Sequence, residues 1–197
     1  IPLNGVNNHH DLGALGAAFN VRAAERQLEM LQEMGANALR MSHNPPAPEL
    51  LELTDRMGIL VMDEVFDVWE RKKTPLDFHL IFPDWHEQDL RSMLRRDRNH
   101  PSIIMWSIGN EIDYPNDPYT HEILNSGNNP QIYGRGYDST HPPAARLGEI
   151  SQHLVQVAKQ YDTTRPVTAA LAGVVMSNTT SYPGNLDIVG YNYQEYR

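Results

Sequence analysis

Pro101-Ser-Ile-Ile-Met-Trp-Ser-Ile-Gly-Asn-Glu111 is an apolar run, rich in β-branched residues and bounded by turn-forming residues. Its length and composition predict a β-strand that is buried on both faces, as in parallel sheets. The run ends in Gly109-Asn110-Glu111, which places an amide and a carboxylate side by side at its C-terminal tip. In parallel α/β folds the loops that leave the C-terminal strand ends line the ligand crevice. Glu111 is therefore the first candidate for a catalytic residue.

Strand-like and helix-like segments alternate on both sides of this run, which predicts parallel βαβ units with helices outside the sheet. The glycines at 13 and 16 do not have the spacing of a dinucleotide-binding loop. We therefore expect an α/β fold, a (β/α)8 TIM barrel that is incomplete, with about six βα units present and the last two missing. The other predicted strands are residues 5–11, 36–43, 58–64, 166–171 and 186–193.

Capping signals place the helices between these strands. Asn20 is a suitable N-cap, and Pro48 and Gly58 have the expected positions at the start and just past the end of the next helix. Asp84 and Glu87 have capping-box spacing and predict the start of a third. A further helix is predicted from the apolar rhythm of Leu147, Ile150, Leu154, Val157 and Tyr161. Residues 113–142, rich in Pro and Gly, predict a long loop, which in a compact domain is usually functional or disordered.

The amino-acid composition limits the kinds of molecule that the chain is expected to bind. The 197 residues carry a formal net charge of −9, which argues against nucleic acid, because nucleic-acid binders need a basic surface. No run approaches the roughly 18 apolar residues of a membrane span. With no cysteine, disulfides and thiolate metal sites are excluded. The chain opens on Ile1 without a signal-like segment, and we expect it to be a single partial barrel domain, residues 1–197, from the middle of a longer multidomain protein.

Polar side chains follow five of the six predicted strands. One polar residue at a strand end is often simply leaving the core for solvent. The repetition favours a shared rim that suits a polyhydroxylated ligand. The residues at these tips are His9, His10 and Asp11, then Arg40 and His43, then Asp63 and Glu64, then Asn110 and Glu111, then Tyr191, Asn192 and Tyr193.

A metal site is the competing interpretation of the histidines. His9 and His10 are adjacent on a strand, so their side chains point to opposite faces and cannot both bind one ion. We therefore assign no metal ligand and no cofactor. Trp69, in a loop at the rim, is the tryptophan best placed to stack on a sugar ring. The Arg71-Lys72-Lys73 run is interpreted as a solvated loop face.

Three motifs taken together, Arg40-Met-Ser-His43-Asn-Pro, Arg96-Asp-Arg-Asn-His-Pro101 and Gly109-Asn110-Glu111, resemble the catalytic barrel of the family 2 glycoside hydrolases. Within that family the chain looks most like the β-galactosidases. The likeness extends over nearly the whole chain. It includes Gly5-Val-Asn-Asn-His9 on the first strand, Asp63-Glu64 on the third and Gly190-Tyr-Asn-Tyr193 on the sixth.

The resemblance implies a retaining hydrolysis of β-galactosides by two carboxylates. Glu111 matches the general acid/base, and Asn110 matches the residue that bonds the sugar 2-hydroxyl. His9 and His43 match sugar-contacting histidines. Arg40 matches a residue that steadies the nucleophile, and Tyr193 matches a tyrosine that hydrogen-bonds it. The implied partner is a carbohydrate, with no nucleic acid and no membrane.

Two departures from the family pattern limit this expectation. The nucleophile of the family is a glutamate on the seventh strand, and the chain stops at Arg197, just past the sixth. We therefore expect the 197 residues alone to be inactive. Some family members hold magnesium through an acid and a histidine after the third strand, but the stretch Asp67-Val-Trp-Glu70 has no histidine. A non-catalytic carbohydrate-binding or scaffold module and a metal-dependent barrel hydrolase remain the alternatives.

In an opened barrel the first and sixth strands are unpaired edges. Such edges expose backbone hydrogen-bonding groups and interior side chains to other molecules. We therefore expect the isolated chain to self-associate.

Overall fold

The computed structural model describes residues 2–113, 119–123 and 139–194. These residues form a six-stranded parallel sheet in the order β1-β2-β3-β4-β5-β6. A parallel sheet whose strands follow chain order has all its right-handed crossovers on one face, as in a barrel, whereas a doubly wound sheet reverses its order. The strands are β1 (Gly5–His9), β2 (Ala38–Ser42), β3 (Leu60–Glu64), β4 (Ile103–Asn110), β5 (Val167–Leu171) and β6 (Ile188–Tyr191).

The described helices lie in the crossovers between consecutive strands. They are α1 (Val21–Glu33), α2 (Pro48–Met57), α3 (Phe82–Asp97), α4 (Ala145–Tyr161) and the short α5 (Val174–Ser177), with 3₁₀ turns at Gly13–Leu15, Phe78–Leu80 and Pro183–Asn185. The crossover from β5 to β6 has only α5, because residues 173–185 are rich in Gly, Pro, Ser, Thr and Asn, which are poor helix formers. The expected incomplete barrel is confirmed, although its sixth unit lacks a long helix.

The predicted helix boundaries are right at α1 and α2 and wrong at α3. The Asn20 side chain accepts a hydrogen bond from the Ala23 N–H, and Gly58 ends α2 in the left-handed conformation at φ 71°. Helix α3 begins at Phe82 without a side-chain cap, because Pro83 favours the first turn and Asp84 then lies inside it. The Asp84–Glu87 capping box is therefore not formed. Most of the predicted loop at 113–142 lies outside the described residues.

The hydrophobic core lies between the helices and one face of the sheet. Alternation along the strands sends apolar side chains to this face and the intervening residues to the barrel interior. Its fully buried members include Leu28, Leu51, Leu90 and Leu154 from the helices and Val61, Trp106 and Ile108 from the sheet. The rigid outer layer thereby positions the polar residues of the interior face. Strands β1 and β6 are the sheet edges and are more exposed than the central strands, and self-association through them stays a prediction.

Candidate active site

Glu64 is the centre of the polar network at the C-terminal ends of the strands. Its carboxylate is fully buried. Oε2 accepts hydrogen bonds from Arg40 Nη2 at 2.8 Å and from Ser107 Oγ at 2.6 Å, and Oε1 lies 2.6 Å from His43 Nδ1. A buried carboxylate is stable only when it is paired and hydrogen-bonded in this way. Glu64 thus connects β2, β3 and β4. This connecting role was not predicted from the sequence.

Asp63, the residue before Glu64, points to the opposite face of β3. Asp63 is fully buried under α3, beside the Asp97 carboxylate, which accepts two hydrogen bonds from the Arg96 guanidinium at 2.5 and 2.7 Å. Within the described residues, no donor group bonds to either Asp63 oxygen. Burial, and then the charges of Asp97 and Glu64, raise the pKa of Asp63 well above its usual value. The raised pKa favours the neutral carboxyl form of Asp63, which can donate a hydrogen bond to Asp97.

We expect Asp63→Asn to remove a pH dependence of stability. Because the pKa of Asp63 is raised on folding, its stabilising contribution is complete below the unfolded pKa of about 4 and is lost as pH rises through the folded pKa. Urea unfolding between about pH 5 and pH 9 should show the wild-type chain losing stability relative to the variant as pH rises, by at most about 1.4 kcal/mol per pH unit. Asp11→Asn, at an exposed site, is the control. A difference that stays constant with pH would contradict the assignment.

Asn110 is held by charged groups on both sides of its amide. A register shift in β4 between Ser107 and Asn110 accompanies the turn of Asn110 toward the network. Its Oδ1 accepts from Arg40 Nη2 at 2.8 Å, and its Nδ2 donates to Asp67 Oδ1 at 2.8 Å. Asn110 is only 4% exposed. Its backbone oxygen accepts from Lys73 Nζ at 2.8 Å.

Glu111 follows directly and turns the chain away from the sheet. Its backbone has φ 48°, and its N–H donates to Ala170 O on β5 at 2.7 Å. Its Oε1 accepts from Asn192 Nδ2 at 2.8 Å, and the side chain is only partly buried. A carboxylate that is anchored yet open to solvent can exchange protons with a bound ligand. The left-handed backbone at Glu111 is itself a feature that clusters at functional sites.

A second buried carboxylate anchors the segment after Glu111. Asp113 accepts from the N–H groups of Ala172 and Gly173 at 3.0 and 2.8 Å and from Ser177 Oγ at 2.7 Å. Burial raises the pKa of Asp113, and these hydrogen bonds oppose the rise. The contacts fix the Glu111 segment to the loop at the end of β5.

His9 and His43 lie close together, as expected for residues at the ends of two neighbouring strands. The rings of His9 and His43 are 5.2 Å apart and edge to face, so the first two strand tips meet. The His10 ring instead stacks near Phe19, with centroids 6.1 Å apart. Adjacent His9 and His10 therefore face different surroundings, as predicted. In residues 2–113, 119–123 and 139–194 no group of three potential ligands could hold a metal ion.

Tyr193 was predicted to belong to the site, but the structure does not join it to the other residues. It is 78% exposed, and no hydrogen bond links it to the network in the part of the chain described. Its neighbour Asn192 instead reaches Glu111 and, at 3.3 Å, the Asn110 Oδ1. Sequence reasoning had placed Asn192 at a strand tip without giving it a role.

One prediction about the segment after β3 is wrong, and another is wrong for Lys73 although Lys72 is exposed as predicted. Trp69 is fully buried and donates to Ile108 O at 2.8 Å, so it cannot stack on a sugar. It covers Gly109, where an added Cβ would lie 3.1 Å from its Nε1. Lys73 does not belong to a solvated face, because its Nζ bonds Asp67 Oδ1 at 2.7 Å as well as Asn110 O. Only the position of Asp67 just after a buried strand could have suggested this pair.

No helix in the described ranges is long and apolar enough to cross a membrane.

Comparison with known proteins gives a consistent result. The family model described as "Glycosyl hydrolases family 2, TIM barrel domain" matches residues 1–184. The chain is 48% identical, over 97% of its length, to "Beta-galactosidase BoGH2A" of Bacteroides ovatus, of which it covers 23%. It is 38% identical over 55% of its length to human "Beta-glucuronidase", covering 16% of that protein.

Solved structures agree with this result. A glycosyl hydrolase family 2 member from Bacteroides cellulosilyticus matches 98% of the chain with a TM-score of 0.79 and 40% identity, and the match covers 21% of that structure. The chain thus spans about a fifth of the length of these relatives. The six parallel strands in chain order agree with the family match over most of the chain and with the solved structure. The chain therefore belongs to glycoside hydrolase family 2, as part of its TIM barrel domain.

Proposed function

We propose that the chain is part of a longer, multidomain retaining glycosidase that acts on β-galactosides, with Glu111 as its general acid/base. The observation that carries this proposal is the position of Glu111. It stands at the C-terminal tip of β4 in a family 2 barrel, next to Asn110 and hydrogen-bonded to Asn192. The C-terminal strand ends are where TIM barrels place their chemistry.

In the proposed reaction Glu111 first protonates the glycosidic oxygen as the bond to the sugar breaks. It then removes a proton from the water that opens the glycosyl-enzyme. Asn110 donates to the sugar 2-hydroxyl, an interaction that strengthens at the oxocarbenium-like transition state. His9 and His43 contact the sugar from the first two strand tips. Tyr193, just past the end of the sixth strand, hydrogen-bonds the nucleophile.

Retention requires a second carboxylate about 5–5.5 Å from the first. Glu64 does not suit this role, because its carboxylate is fully buried and both oxygens are occupied by Arg40, Ser107 and His43. In our proposal the nucleophile lies outside these 197 residues, and Arg40, which already bonds Glu64 and Asn110, steadies it.

A galactoside is favoured over a glucuronide for two reasons. The β-galactosidase relative is 48% identical over 97% of the chain, whereas a β-glucuronidase of known structure from Bacteroides uniformis, which covers 98% of the chain, is 31% identical. A uronic acid also needs a cation for its carboxylate. The two cations that contact Asn110, Arg40 and Lys73, are each already paired with a carboxylate of the protein.

A substrate panel tests the proposal. In the full-length enzyme we expect turnover of a 4-nitrophenyl β-galactoside, little turnover of the matching β-glucuronide, and a β-anomer as the first sugar released, observed by proton NMR. The 197-residue chain, as the matched control, should show no turnover. An α-anomer as first product, or activity of the short chain, would overturn the mechanism. Calorimetric binding of galactose by a full-length protein without turnover would indicate a carbohydrate-binding module.

A further inference from the structure

Lys73, Asp67 and Asn110 are connected to one another by three hydrogen bonds. Lys73 Nζ lies 2.7 Å from Asp67 Oδ1 and 2.8 Å from the Asn110 backbone oxygen. The same Asp67 oxygen accepts from Asn110 Nδ2 at 2.8 Å. The ion pair therefore touches both the side chain of Asn110 and the peptide group that leads into Glu111.

The charges around the amide allow only one orientation. Arg40 Nη2 donates to Asn110 Oδ1 on one side, and the Asp67 carboxylate accepts from Nδ2 on the other. A flipped amide would set its oxygen against a carboxylate and its N–H groups against a guanidinium, and both contacts are repulsive. Of the two N–H groups on Nδ2, one donates to Asp67, and no acceptor among the described residues takes the other, which can donate to a ligand.

The loop that carries Lys73 is itself fixed. The Asp77 carboxylate accepts from the backbone N–H groups of Lys73 and Thr74 at 2.8 and 2.6 Å, and its other oxygen bonds the His79 N–H at 3.1 Å. These hydrogen bonds lower the pKa of Asp77 against the opposing effect of its burial. Asp77 is thus ionised and holds the loop, so the long Lys73 side chain begins from a fixed backbone. This side chain is only 19% exposed, and its contacts with Asp67 and Asn110 offset the rotamer entropy that ordering it costs.

We propose that Lys73 and Asp67 are positioning residues, which hold the Asn110 amide with an N–H toward the 2-hydroxyl of the sugar in the transition state. This inference rests on the proposed glycosidase function. A positioning role of this kind affects kcat more than KM, because the bond to the 2-hydroxyl strengthens as the glycosidic bond breaks.

The test compares two substrates in the full-length enzyme, an aryl β-galactoside and its 2-deoxy analogue. Lys73→Met should lower kcat/KM for the galactoside roughly 10- to 100-fold, the effect of losing a charge-assisted hydrogen bond. It should lower kcat/KM for the 2-deoxy substrate less than about 3-fold, because that substrate lacks the group that Asn110 serves. Lys72→Met, which removes an exposed charge from the next position, should leave both values unchanged.

Equal losses on both substrates would show a merely structural role and overturn the proposal, as would no loss on either. If Lys73→Met does not fold, Asp67→Ala gives the same comparison at a half-exposed position. Lys73→Arg, which keeps the ion pair, should retain most of the 2-hydroxyl dependence. A wild-type enzyme that turns over no β-galactoside would refute the proposed function itself, and that result is visible before any variant is made.

Discussion

In the full-length enzyme, Glu111→Gln is expected to slow the hydrolysis of alkyl β-galactosides by about 10²- to 10⁴-fold, the usual contribution of a general acid. Activated aryl β-galactosides should lose far less in kcat/KM, because their leaving groups depart without protonation. Glutamine keeps the volume of Glu111 and an oxygen that can accept from Asn192. The difference between the substrates therefore reports the missing proton. Steady-state kinetics over a series of leaving groups measures it.

The second half of the reaction gives an independent readout. Without its base, the variant should open the glycosyl-enzyme slowly, so activated substrates should show a burst followed by a slow steady state. Added azide needs no base to attack, and it should restore the rate and yield a β-galactosyl azide. Glu149→Gln, at an exposed position on α4, is the control and should change none of these. An equal loss on alkyl and activated aryl substrates would contradict the role of Glu111.

The barrel could be predicted because its signals are local. A strand, a cap and a stop are each contained in a few neighbouring residues, as at Asn20 for α1 and Gly58 for α2. Strand order follows from the same signals, since consecutive parallel strands joined by helices lie side by side. The α3 start was missed because two local signals competed, a capping box at Asp84 and a first-turn proline at Pro83.

The candidate site could be predicted only in part, because the residues that contact one another there are far apart along the chain. The alternation of strands and helices along the chain places Asn110 and Glu111 near the C-terminal ends of the other strands. It does not show which side chains hydrogen-bond to one another. Lys73 contacts Asn110 across 37 residues, and Arg40 contacts it across 70. Arg71-Lys72-Lys73 has the composition of a solvated turn, and nothing in that composition separates Lys73 from its exposed neighbour. Trp69 likewise follows a rim strand in sequence, yet the loop folds back over Gly109 and buries it.

We expect Glu64→Gln to destabilise the chain by about 3–5 kcal/mol, the cost of leaving a buried charge without its partner. Arg40 bonds Oε2 through both Nε and Nη2, at 3.0 and 2.8 Å. A neutral amide cannot balance the guanidinium, and its NH2 would face donors in either orientation, those of Arg40 and Ser107 on one side or His43 Nδ1 on the other. Urea unfolding, followed by the fluorescence of the buried Trp69 and Trp106, measures the loss at a concentration where sedimentation shows one species.

Glu25→Gln is the matched control, because Glu25 also accepts from arginines, Arg22 at 2.8 Å and Arg56 at 2.6 Å. Both arginines are more than half exposed, so this variant should lose less than about 1 kcal/mol. Equal losses in the two variants would show that burial adds nothing at Glu64. A larger loss at Glu64 has a consequence for the site: the carboxylate that stabilises β2, β3 and β4 also holds the arginine that orients Asn110. The orientation of the Asn110 amide then depends on the same buried ion pair as the stability of the sheet.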